Sequence, residues 1–89
     1  MSLQSIHRIY TEKKNEKRIV DVIASEFESF TLQPVKGYYQ GRAEQSIVVE
    51  IVGAKAPAIR ALAGKIKRMN GQKSILIIHH RAETTAIRW

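Results

Sequence analysis

Cysteine is absent from the 89 residues. That excludes a disulfide framework, thiolate metal knuckles and thiol catalysis, and it fits a reducing compartment. No apolar run reaches the roughly 18 residues that a bilayer span needs. The opening Met1-Ser2-Leu3-Gln4 has neither the basic nor the hydrophobic stretch of a signal peptide, so the cytoplasm is the expected location and no membrane partner is expected. A glycine-rich phosphate loop, an HExxH helix and a Ser-His-Asp spacing are all missing. The chain is therefore expected not to be an enzyme, and no cofactor is implied. Acidic residues are scarce as well: eight Asp and Glu stand against fifteen Lys and Arg, a formal charge of +7. Such a surface favours polyanions through long-range attraction and equally serves simply to keep a domain solvated.

What is present reads as one domain over residues 1–89, without internal repeat or low-complexity segment. A chain this short buries only around two thirds of its unfolded surface, which makes oligomerisation a plausible source of further burial. Ser5–Thr11 is rich in β-branched and aromatic residues and predicts a strand. Asn15 is a candidate N-cap, with its side-chain oxygen accepting a first-turn amide. Ile19, Val20, Ile23, Ala24 and Phe27 form the stripe of a helix over residues 15–29.

Phe30–Gln33 starts a second strand, with Pro34 at an edge or bend. The strand continues extended through Tyr39 into a turn at Gly41, Arg42 and Ala43. Ser46–Val52, nearly continuous in β-branched residues, predicts a central third strand paired with the second as a long hairpin. Pro57 suits a helix start. Ile59, Leu62, Ala63, Ile66 and Met69 give a second helical stripe, which Asn70-Gly71 closes. Ser74–His79 predicts the fourth strand, and within the tail 81–89 the residues from Glu83 to Trp89 have the composition of a short fifth. The order β-α-β-β-α-β, with right-handed crossovers, implies an α+β ferredoxin-like domain: an antiparallel sheet in order 4-1-3-2 with both helices on one face.

The hairpin region resembles a family. Thr31-Leu32-Gln33-Pro34, then Gly37-Tyr38-Tyr39-Gln40-Gly41-Arg42-Ala43-Glu44, then Ile47-Val48-Val49-Glu50-Ile51, is similar to the CutA divalent-cation-tolerance proteins of the wider PII-like group. Ala56-Pro57-Ala58-Ile59 and the final apolar strand continue the likeness across residues 5–80. The resemblance implies a tight trimer in which the long hairpin and the C-terminal strand reach a neighbouring subunit. The family's cysteine near the start of the second strand is missing, and Val52-Gly53 stands where those proteins have Lys-Thr, so metal handling is not implied.

Several side chains are candidates for chemistry. Tyr38 and Tyr39 with Arg42 offer a stacking platform for a ring or base, or one tyrosine enters the core and the other an oligomer contact. Together with Glu44 and the C-terminal Trp89 they would line a cleft between subunits for a small ligand or partner protein. Glu50, inside an apolar strand, is expected to pair with Arg42 or Arg8. Antiparallel pairing of the first and fourth strands would bring His7 toward His79 and His80, a soft transition-metal arrangement, although neighbouring histidines on a strand face opposite ways and at most one of them joins His7. Lys13, Lys14, Lys17, Arg18, Arg60, Lys65, Lys67 and Arg68 on and beside the helices form an alternative surface for nucleic acid. The aromatics that an RNA-binding sheet would carry on its third strand are absent. The best-supported expectation is a non-enzymatic, trimeric binding or regulatory module; a basic nucleic-acid accessory protein is the alternative.

Overall fold

Alternation sets the faces of the sheet. In the computed structural model, which describes residues 2–87, the first strand β1 (Ser2–Glu12) turns His7, Ile9 and Thr11 inward, and all three are buried. Strand β3 (Arg42–Val52) does the same with Ile47, Val49 and Ile51. The antiparallel register sets Ile9 opposite Val49 and Thr11 opposite Ile47, so these residues share one face. Strand β2 (Thr31–Tyr39) pairs along β3, and strand β4 (Leu76–Thr84) along β1. The resulting order β2-β3-β1-β4 is the expected 4-1-3-2 sheet read from its other edge.

Both helices lie on the face that carries Ile9, Ile47, Val49 and Ile51. Helix α1 (Glu16–Glu26) contributes Ile19 and Ile23, and helix α2 (Ala56–Asn70) contributes Ile59, Leu62, Ala63 and Ile66, all to one buried cluster with those strand residues. Burying each isoleucine, leucine or valine of this cluster contributes about 1.5–3 kcal/mol relative to leaving it exposed. Periodicities of 2 in the strands and 3.6 in the helices meet in this single layer, which explains why the α+β ferredoxin-like arrangement was legible from pattern alone.

Four local details differ from expectation. Asn15 does stand at the α1 N-cap, but in a left-handed conformation (φ 57°) with no capping bond from its side chain. Its amide instead donates to Asn70 Oδ1 at 3.0 Å, and asparagine tolerates left-handed backbone better than most residues. Helix α1 ends at Glu26 rather than residue 29, with Phe27 extended beyond it. The hairpin turn is Gln40-Gly41 alone, with positive φ at both residues (51° and 79°), as a type I′ turn requires, so Arg42 and Ala43 belong to β3. Finally, β4 runs from Leu76 to Thr84 and so takes up Glu83 and Thr84 of the suggested fifth strand; Thr85–Ile87 form no strand.

Helix α2 closes as expected. Gly71 takes the left-handed position, its N–H bonding the Arg68 carbonyl while the Gln72 N–H bonds that of Lys67. Among the described residues, no helix is long and apolar enough to cross a membrane.

Candidate functional site

The helices cover one face of the sheet and leave the other bare. Along the bare face, alternation and register gather Ile6, Arg8 and Tyr10 from β1, Val48, Glu50 and Val52 from β3, and Leu76 and Ile78 from β4. Val52, Leu76 and Ile78 are 46%, 56% and 38% exposed, an apolar patch with no cover from the described residues. In its midst Arg8 Nε donates to Glu50 Oε2 at 2.8 Å, a pair set by direct cross-strand register. Of the two partners foreseen for Glu50, it is Arg8 that the register supplies.

The chain also exposes more surface than a monomer of its size should. Its accessible area is 6507 Å², whereas a folded monomer of 10.1 kDa is expected to expose about 5,300 Å². Its radius of gyration is 13.8 Å, against about 12 Å for a compact chain of this length. At the distal end of the hairpin every residue from Tyr38 to Gln45 is exposed. Tyr38 and Tyr39 there are both largely exposed, which corrects the expectation that one of them enters the core. No core reaches that far along the ribbon.

A cleft of about 570 Å³ opens beside the hairpin, between the end of β1 and the loop after α2. Tyr10, Tyr39, Glu44, Lys14, Gln72 and Lys73 are among its walls. Of the expected ligand residues, Tyr39 and Glu44 line this cleft; Tyr38 lies on the opposite face of the ribbon, Arg42 is not in the lining, and Trp89 lies outside the described residues.

A polar knot that sequence reasoning missed forms the back of the cleft. Buried Asn70 donates to Gln72 Oε1 at 2.8 Å and to Thr11 Oγ1 at 3.3 Å, and Thr11 Oγ1 in turn donates to Gln72 Oε1. Gln72 Nε2 donates to the Ser74 carbonyl at 3.0 Å, which pins the loop. Asn70 read as a helix stop was the sole sequence signal of this arrangement. The fully satisfied network keeps the wall rigid.

The histidines meet at the opposite end of α2. His7 and His79 are direct partners across β1 and β4, with their Nδ1 atoms 2.6 Å apart and their rings edge-to-face at 84°. His7 Nε2 lies 2.6 Å from the Ala54 carbonyl oxygen. His80 pairs with Ile6 and so belongs to the other face. The three histidines therefore do not converge, and among the described residues no group of three metal-ligating side chains comes together. The basic residues of the alternative surface are dispersed: Lys17 binds Asp21 at 3.2 Å, Lys65 binds Glu26 at 2.5 Å, and Lys14 lines the hairpin cleft. Lys13, Arg18, Arg60 and Arg68 remain exposed, and Lys67 is half-buried.

No protein-family model and no curated protein matches this sequence. Solved structures do. A DUF3240 family protein from Shewanella baltica OS155 aligns over 100% of both chains with TM-score 0.71 and 16% identity. CPII, a nitrogen regulatory PII-like protein from Thiomonas intermedia K12 bound to ADP, AMP and bicarbonate, covers 98% of each chain with TM-score 0.67 and 10% identity. The periplasmic divalent cation tolerance protein CutA from Archaeoglobus fulgidus aligns over 93% of this chain and 87% of its own, with TM-score 0.62 and 16% identity.

The chain has the CutA and PII-like fold. A phage SAM lyase shares it too, with TM-score 0.63 and 16% identity over 94% of this chain and 92% of that one, so the fold by itself does not separate binding modules from enzymes.

Proposed function

We propose that the protein is a non-enzymatic homotrimer that binds a small ligand in clefts between subunits and reports it to other proteins. The bare sheet face carries the reading. An apolar patch holding its own ion pair suits a second copy of the same chain, because Arg8 and Glu50 already satisfy each other and need no complementary charge from a partner. The excess surface, about 1,200 Å² per chain over the monomer expectation, exceeds the roughly 800 Å² that one side of a standard interface buries. Three-fold assembly is what the CutA and PII-like resemblance implies. A cysteine-free chain suits the cytoplasm.

The ligand would occupy the hairpin cleft. Tyr10 and Tyr39 offer aromatic faces, Lys14 and Lys73 offer cations beside the carboxylates of Glu12 and Glu44, and Gln72 is held in place by Asn70 and Thr11. That chemistry suits an adenine nucleotide, the class bound by the PII-like protein from Thiomonas intermedia. The test is calorimetric titration with ADP and with AMP, on the parent chain and on Ile78→Glu. Saturable binding by the parent, lost in a folded monomeric Ile78→Glu, supports the reading. Absence of binding by the parent, or equal binding by a monomer, refutes it.

A further inference from the structure

A second cleft, of about 530 Å³, lies where β4 passes the start of α2 and is lined by Ser5, His7, Lys55, His79 and Arg81 among others. It is separated from the hairpin cleft by the length of α2, whose 15 residues span about 22 Å.

With His7 neutral, the hydrogen bonds at its floor allow one proton arrangement. A carbonyl oxygen only accepts, so His7 Nε2 must carry the proton donated to Ala54. Neutral His7 then presents a lone pair at Nδ1, and the proton between the two Nδ1 atoms belongs to His79. His7 is 2% exposed and is held at both nitrogens, so it acts as the positioning residue that fixes the tautomer of His79. The Nε2 of His79 has no protein partner among the described residues. If Nε2 takes up a proton, His79 becomes an imidazolium without breaking its bond to His7, since its Nδ1–H is already in place.

Lys55 and Arg81 add two permanent cations to the lining, and no described lining residue is acidic. Two fixed positive charges and an imidazole nitrogen that donates once it carries a proton match a dianion better than a single carboxylate. We infer that this cleft binds a phosphate monoester, with Arg81 and Lys55 meeting the phosphate oxygens and His79 donating through Nε2. The volume suits a small molecule rather than a polymer. This inference is independent of the trimer and of the hairpin cleft.

The test is an NMR titration of the full chain, ring-15N-labelled at histidine, with inorganic phosphate, with sodium acetate and with zinc chloride. The expected result is saturable phosphate binding that places a proton on His79 Nε2. Arg81→Gln and Lys55→Gln should each weaken it about tenfold at unchanged melting temperature, and acetate should bind more weakly. The inference is overturned if phosphate leaves the His79 ring signals unmoved, if both variants bind as the parent does, or if zinc alone perturbs the pair.

Discussion

Arg8 and Glu50 sit directly opposite each other on β1 and β3, joined by a 2.8 Å charge-assisted bond on the face of the sheet that no helix covers. Both side chains are about one third exposed in the single chain, 37% and 34%. What the pair contributes therefore depends on what lies over it. An ion pair left at the surface is worth about 0.2–1 kcal/mol. One sealed inside an interface leaves an uncompensated charge when cut, at a cost of about 3–5 kcal/mol. Glu50→Ala is expected to show the larger figure, read as weakened assembly on dilution. Glu50→Ala together with Arg8→Met should recover most of it.

Ile78→Glu places a charge on the same patch without touching the buried cluster. Its expected effect is dissociation to folded monomers with unchanged far-ultraviolet circular dichroism, measured by sedimentation velocity.

The hairpin cleft depends on an exposed aromatic. Tyr39→Ala should weaken ADP binding by about 1–3 kcal/mol, the range for loss of a base-stacking side chain. Its melting temperature should not move, because Tyr39 is 64% exposed and supports no core contact.

His7→Ala removes a buried ring together with its bonds to Ala54 and His79. It should destabilise the fold by about 2–4 kcal/mol in urea denaturation, combining the cavity with the unsatisfied carbonyl. His79→Ala, at an exposed position on the edge strand, should cost about 1 kcal/mol, the loss of one hydrogen bond.

Gly41→Ala tests the turn. No atom lies within 4 Å of a β-carbon added there, so the cost, about 1 kcal/mol, is that of a left-handed backbone alone. It should appear in the denaturation midpoint and leave ligand affinity unchanged.

The sheet order and both helix faces were legible because each rests on a repeating pattern: Ile19 and Ile23 on one helix, Ile59, Leu62 and Ile66 on the other, Ile47, Val49 and Ile51 between them. The Arg8–Glu50 and His7–His79 meetings were legible in outline because antiparallel pairing of known neighbours brings those positions together. Partners supplied by loops were not. Ala54 under His7, and Gln72 between Thr11 and Asn70, depend on where a helix begins or ends in space, and no periodicity records that.

Asn15 misled because its amide finds Asn70, a residue from the far end of the other helix, and that bond displaces the local cap. The Tyr38-Tyr39 pair misled because alternation gives each ring its side of the ribbon but not whether a helix extends over it. The end of β4 was missed because His79 to Thr84 reads as polar, as an edge strand half open to solvent does.

The measurement that bears most directly on the central claim is the absolute mass in solution by light scattering, at low and at high salt. Assembly through an apolar sheet face predicts about 30 kDa, three times the 10.1 kDa chain, at both salt concentrations, because burial of apolar surface is not screened. A mass near that of one chain, at concentrations where ADP is still bound, would contradict it.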